Sequence, residues 1–135
     1  MRDELNLRFK KREWFQPFCP SLLVTEAPKV FTSFYYNPHM TCAFSVRPNV
    51  QSELPAICHI DGTARPQMVT LKRNPLFFRI LQQLQEKNKY GVCLNTSFNV
   101  HGKTIVCTAS DAIDDFFACS IDVLYLSGWK ITRLA

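Results

Sequence analysis

Glycine is scarce in this chain. There are four in 135 residues, with no internal repeat and no low-complexity stretch. Without a flexible linker there is no sequence signal for an internal boundary. The chain therefore reads as one domain over residues 1–135, long enough to bury a core without disulfide or metal staples. No apolar run approaches the ~18 residues of a membrane span. The charged start Met1-Arg2-Asp3-Glu4-Leu5 is not followed by the apolar segment of a secretory signal. These absences lead to the expectation of a cytoplasmic protein with no membrane partner. Six cysteines are present (Cys19, Cys42, Cys58, Cys93, Cys107, Cys119), but no pair has C-x-x-C spacing and no short His pair completes a zinc set. No metal ligand is expected. Cys58, Cys93, Cys107 and Cys119 have apolar neighbours, which suits buried free thiols acting as small hydrophobes. The P-loop, the G-x-G-x-x-G turn and the G-x-S-x-G elbow are all missing.

What is present is a basic excess. Sixteen lysines and arginines against eleven acids give a net charge of +5, which suits an anionic partner. The cations cluster at Arg8, Lys10, Lys11 and Arg12 and then recur singly at Arg47, Arg65, Lys72, Arg73 and Lys103. That scatter fits a pocket gathered from distant segments better than a continuous nucleic-acid track.

Local patterns set the expected elements. Two prolines in Phe15-Gln16-Pro17-Phe18-Cys19-Pro20 favour an extended path. Residues 22–31 suit a short helix, residues 41–46 a strand, and Arg47-Pro48-Asn49 a turn. Residues 55–60 read as an apolar strand running into the turn dipeptide Asp61-Gly62, with β-prone residues 68–71 beyond it. Asn74-Pro75 opens a helix whose apolar stripe is Phe77, Ile80, Leu81 and Leu84, with Gly91 as its stop. Strands are expected at 91–95 and 104–107. A second helix opens at Ser110-Asp111 with Ile113, Phe116 and Phe117 as its core face, and two β-prone runs finish the chain at 123–126 and 129–131. Strands alternating with helices give an α/β domain built on a mixed sheet.

Three segments carry polar chemistry. In Lys10-Lys11-Arg12-Glu13, an extended backbone puts Lys10 and Arg12 on one side, a point charge and a planar fork for phosphate oxygens; a solvated charge run is the plainer alternative. His59-Ile60-Asp61-Gly62-Thr63-Ala64-Arg65-Pro66-Gln67 packs five kinds of polar group around one turn, either as a site or as a wet hairpin tip. Asn95-Thr96-Ser97-Phe98-Asn99 follows a strand, where open α/β sheets bind ligands; a self-capping Asn/Ser turn is the alternative.

Taken in order, these segments resemble the C-terminal domain of the NodU/CmcH/TobZ-type O-carbamoyltransferases. The family pattern reads K-x-R-E-x-F-R-P-F-A-P, then P-A-x-x-H-x-D-G-T-x-R-x-Q, then N-T-S-F-N-x-x-G-E-P-I-V and D-A. It stands here at residues 10–20, 55–67 and 95–106, with Asp111-Ala112 following. The resemblance implies a YrdC-like fold, a twisted mixed sheet with flanking helices. It also implies that ATP (with Mg²⁺, as substrate) and carbamoyl phosphate combine into carbamoyl adenylate, with no tightly bound cofactor. A separate N-terminal domain related to actin-like ATPases, expected to be lacking from this chain, would move the carbamoyl group to an acceptor hydroxyl.

By position the family's lysine, arginine, serine and asparagine map onto Lys10, Arg12, Ser97 and Asn99. Lys10, Arg12 and Arg65 are the candidates for offsetting phosphate and carboxylate charge during adenylate formation. Ser97, Asn99, Asn95 and Thr96 would serve the nucleotide, and His59, Asp61, Gly62, Thr63 and Gln67 the carbamoyl group, with His59 not expected to act as general base. Three of the departures from the pattern change charge or backbone freedom. Gln16 replaces an arginine, Lys103 a glutamate and Thr104 a proline. A non-catalytic module binding nucleotide, RNA or protein on the same fold is the alternative reading, with nucleic acid disfavoured because most of the phenylalanines sit in core-like patterns.

Overall fold

The computed structural model describes residues 2–133, and they group into two compact units, one of residues 17–96 and one of residues 1–16 with 97–135. Both helices and strands are present, so the α/β class holds.

The 17–96 unit is organised by strand β1 (Cys19–Leu23), buried over Pro20, Ser21, Leu22 and Leu23. It is the middle of a three-stranded mixed sheet. β4 (Gln67–Val69) runs parallel to it with Ser21 opposite Gln67, and β5 (Val92–Asn95) runs antiparallel with Cys19 opposite Asn95. Side chains alternate across a strand, so Leu22 and Met68 face one core and Leu23 and Val69 the other. The first core holds Leu22, Met68, Phe31, Phe44, Val50 and Ile57, among others. The second is built by Leu23, Val69 and Leu81, with Phe77, Phe78, Leu84 and Cys93 packed against them. Between β1 and β4 lie a short helical run (a 3₁₀ turn Val24–Glu26 leading into α2, Ala27–Val30), β2 (Phe44–Ser45), α3 (Pro48–Glu53) and β3 (Thr63–Ala64), which pairs with β2.

Several expectations are corrected here. The helix expected at 22–31 begins only at Val24, because Leu22 and Leu23 belong to β1. Arg47-Pro48-Asn49 is not a turn but the entry to α3, with proline at a first-turn position where its missing N–H costs nothing. Residues 55–60 do not form a strand; Pro55–Ile57 is a 3₁₀ turn. Helix α4 (Pro75–Lys87) starts as expected, with the Asn74 side chain accepting from the Phe77 N–H at 3.1 Å. Its buried stripe is Leu81 flanked by Phe77, Phe78 and Leu84, whereas Ile80 is exposed. Gly91 does not cap that helix. The left-handed residue after it is Lys89, at φ 58°. Gly91 is needed for another reason: a Cβ there would lie 2.7 Å from Leu23 Cδ1 and 3.0 Å from the Leu81 carbonyl oxygen.

The other unit joins the chain's first sixteen residues to residues 97–135. Helix α1 (Arg2–Glu4) continues as a π-helical stretch, Leu5–Lys10, ended by Lys11 in the left-handed region at φ 52°. Lys10 and Arg12 are therefore not two positions of an extended strand. Helix α5 (Ala109–Ala118) carries a full capping box, with Thr108 accepting from Asp111 N and Asp111 accepting from Thr108 N. Its buried side is Ala112, Asp115 and Phe116; Ile113 and Phe117 are exposed, contrary to the expected core face. β6 (Val123–Leu126) and β7 (Trp129–Thr132) form a hairpin closed by Ser127 and Gly128, both at positive φ as a tight two-residue turn requires. The strand expected at 104–107 is absent: those residues are irregular and mostly exposed, Cys107 included. Arg133 donates to the carbonyls of Phe116, Cys119 and Ile121, placing a cation at the negative end of α5.

Candidate functional site

Each unit gathers one polar cluster. In the 1–16/97–135 unit the centre is Lys10, only 8% exposed. Its Nζ donates to the Ser97 carbonyl (2.6 Å), the Asn99 carbonyl (3.0 Å) and Asn99 Oδ1 (2.9 Å), and lies 3.4 Å from Ser97 Oγ. Burial, and next the positive charge of Arg12, push the ammonium below the ordinary lysine range. Arg12 is anchored by its Nε–H to Asn6 Oδ1 at 2.6 Å. Asn6 is fully buried and donates from Nδ2 to the Trp14 and Gln16 carbonyls, 2.8 Å each. One amide thus ties the π-helical stretch to the segment that follows it.

The 97–103 segment is fastened a second time by Asp115 on α5. The buried carboxylate accepts from Val100 N at 3.2 Å and from Lys103 Nζ at 2.9 Å. The hydrogen bond from Lys103 holds the Asp115 carboxyl below the usual range and raises Lys103 in return. Ser97 Oγ donates to Asn99 Oδ1 at 2.6 Å, and Asn99 Nδ2 to the Lys103 carbonyl at 2.8 Å. A cleft of about 400 Å³ beside this loop is lined by Lys103, Val106, Cys107, Asp111, Asp114 and Asp115. Its three carboxylates make it unsuited to phosphate.

In the 17–96 unit a polar patch covers one end of the sheet. Ser21, fully buried on β1, donates to Gln67 Oε1 on β4 at 2.7 Å. Asn95 on β5 donates to Ser21 Oγ (2.8 Å) and to Gln67 Oε1 (3.0 Å). On the same edge Arg65 points Nε and Nη2 at Cys19 Sγ, 3.3 and 3.2 Å away. The His59–Thr63 turn forms a relay. Thr63 Oγ1 donates to Asp61 Oδ1 at 2.7 Å and lies 3.2 Å from His59 Nδ1. A hydroxyl has one proton, so with that proton on Asp61, His59 must donate from Nδ1, leaving the Nε2 lone pair available. Burial holds the His59 pKa down, Arg65 adds to the effect and Asp61 opposes it. Gly62 adopts φ +75°, which a side chain would strain.

The expected site residues therefore divide. Lys10, Arg12, Ser97 and Asn99 come together in one unit. Asn95, Gln67 and Arg65 join the sheet patch in the other, and His59, Asp61, Gly62 and Thr63 form the adjacent turn. Thr96 is exposed, and among the described residues its side chain has no hydrogen bond. Asn6, Ser21 and Asp115 were not anticipated. Only Asp115 left a trace in the sequence, as an acid on the same helix stripe as Ala112, Phe116 and Cys119. Among the described residues no group of His, Cys, Asp and Glu could hold a metal ion, and no helix is long and apolar enough to cross a membrane.

The family model described as carbamoyltransferase C-terminus matches residues 1–133. An uncharacterized protein of Methanocaldococcus jannaschii is 47% identical over 132 residues, covering 98% of this chain and 22% of that protein. Nodulation protein NolO of Bradyrhizobium diazoefficiens is 34% identical over 98% of this chain and 25% of its own length. The 3'-hydroxymethylcephem-O-carbamoyltransferase of Streptomyces clavuligerus is 37% identical over 83% of this chain and 21% of its own length. The chain thus spans only about a fifth to a quarter of the relatives it matches. With nearly its whole length matched by the family model, the chain belongs to the carbamoyltransferase C-terminus family.

Proposed function

We propose that this chain serves carbamoyl transfer by binding ATP and carbamoyl phosphate and forming, or helping to form, carbamoyl adenylate. Water releases carbamate and inorganic phosphate from carbamoyl phosphate. A carbamate oxygen then attacks the α-phosphorus of ATP, the bond to the β-phosphate breaks, and pyrophosphate leaves. A partner domain related to actin-like ATPases passes the carbamoyl group to an acceptor hydroxyl. The carrying observation is that Lys10, near one end of the sequence and close enough to Arg12 to feel its charge, bonds Ser97 and Asn99, 87 and 89 positions away. The partly buried Arg12 guanidinium, with the Lys10 charge behind it and the polar loop atoms beside it, suits the phosphates of Mg²⁺-bound ATP. The Asn95–Gln67–Ser21 patch and the His59–Arg65 segment offer donors for a carbamoyl oxygen and a carboxylate. His59 binds rather than abstracts protons in this reading, its Nε2 accepting from the carbamoyl N–H₂.

Calorimetric titration of the chain with ATP and Mg²⁺, with and without carbamoyl phosphate, tests the proposal. The expected result is ATP binding that strengthens when the second ligand is present. Arg12→Ala and Arg65→Ala should each weaken binding by about tenfold or more, the worth of a hydrogen bond to a charged group. A folded chain that takes up neither ligand would refute it.

A further inference from the structure

We propose that Lys10 is a positioning residue whose ammonium is an internal cation shaping the 97–103 loop, and that removing it leaves an oxygen cage able to take free ammonium. The inference deepens the proposed function, because it rests on Ser97 and Asn99 being nucleotide contacts, but its loop readout does not depend on nucleotide binding.

An ammonium has three N–H bonds. Those of Lys10 face four oxygens: the carbonyls of Ser97 and Asn99, Asn99 Oδ1 and Ser97 Oγ. No donor is left over for a phosphate oxygen. The loop it serves has neither helix nor strand, so its shape depends on these bonds, on the Asp115 anchor, and on the bonds from Val106 N to the Phe98 carbonyl and from Asn99 Nδ2 to the Lys103 carbonyl. Two carbonyl oxygens, an amide oxygen and a hydroxyl converging on one point repel one another unless a cation sits among them. Without a cation there, the 97–99 backbone must turn its carbonyls outward to water, moving Ser97 and Asn99 with it. The return bond, from His101 N to the Lys10 carbonyl at 3.3 Å, ties the loop to both ends of the same residue. Lys10 therefore acts on a nucleotide through the loop atoms it arranges.

The test compares Lys10→Ala with Lys10→Met in the full chain. The first empties the cage, and the second fills the stem's path with a neutral chain. Amide exchange over residues 97–103 is followed in sodium, ammonium and tetramethylammonium chloride, beside ATP titrations in the same salts. In both variants exchange should rise by about tenfold or more, the signature of a lost local clamp. In Lys10→Ala ammonium should restore protection saturably and tetramethylammonium, too large for the cage, should not. Lys10→Met should show no ammonium effect. Unchanged exchange at 97–103 in both variants, with ATP binding lost, would overturn the proposal and make Lys10 a direct phosphate contact. Protection that ammonium fails to restore in Lys10→Ala would also overturn it. If the unaltered chain binds no ATP, the nucleotide reading fails, while exchange still decides what Lys10 does to the loop.

Discussion

Replacing Asn6 by alanine is the sharpest test of how the cation-bearing segment is built. Asn6 is fully buried and makes three hydrogen bonds, two as donor to the Trp14 and Gln16 carbonyls and one as acceptor from Arg12. A neutral hydrogen bond contributes about 1 kcal/mol net and one to a charged group about 1.5–3 kcal/mol. Arg12 is only partly buried, so its guanidinium can recover water and the lower figure applies. The expected loss is therefore about 3.5 kcal/mol. Asn6→Asp keeps the acceptor for Arg12 but sets a carboxylate oxygen against two carbonyls, so it should cost about 2 kcal/mol. The chain's two tryptophans, Trp14 and Trp129, both lie in the 1–16/97–135 unit. Tryptophan fluorescence during urea unfolding of the full chain thus reports the affected unit, and circular dichroism follows the whole. A loss below about 1 kcal/mol in Asn6→Ala, at unchanged denaturant slope, would show that Asn6 does not organise this segment.

Gly91→Ala should destabilise by about 1–3 kcal/mol because the added methyl meets the Leu81 carbonyl as well as a flexible side chain, and a thermal melt measures it. Thr108→Ala removes half of the α5 capping box and should cost about 1 kcal/mol, read by the same melt. The His59 pKa should lie below the ordinary 6.5 in an NMR titration of its ring protons, since burial disfavours the charged form. Because an unfolded His59 would bind a proton first, this site weakens the fold as pH drops below 6.5 and the loss stops growing below the lowered folded value. Asp115 works through a lowered carboxyl pKa, so its contribution is present above the ordinary 3.8 and fades as pH falls through the folded value. Lys103→Met should therefore be less stable than the unaltered chain at neutral pH and match it in strong acid, as followed by tryptophan fluorescence.

What the sequence disclosed and what it hid follow from the range of the interactions. The start of α4 was legible because Asn74 and Pro75 act on their own backbone. The hairpin of β6 and β7 was legible as two β-prone runs. The apolar run at 55–60 misled, because a strand needs a partner and the nearby β2 pairs instead with residues 63–64. The α5 face misled because two apolar stripes compete on it. The buried one contains Asp115, which hydropathy counts against burial but which is retained inside by two hydrogen bonds. The grouping of Lys10 and Arg12 was anticipated from strand alternation, yet the structure brings them together by a π-helical turn and a left-handed Lys11. The contacts of Lys10 with residues 97 and 99 span most of the chain, and no local pattern carries them.

The departures at positions 16, 103 and 104 can be weighed against these contacts. At position 16 the atom that matters to the Asn6 clamp is the backbone carbonyl, which glutamine supplies as well as arginine; what is lost is one positive charge. Thr104 is exposed and contributes no side-chain hydrogen bond among the described residues. Lys103 is different, because its ammonium pairs with the buried Asp115 carboxylate and so anchors the loop carrying Asn99. A glutamate in that place would oppose Asp115 with a like charge, and the loop would need another cation to close it. The reversed charge at position 103 is therefore absorbed locally, and the lysine adds little positive field for a bound phosphate. By this reasoning the departures alter the charge around the candidate site while leaving both hydrogen-bonded clusters intact, so any change in this chain's ligand affinity should appear as a change in salt dependence before it appears as a change in fold.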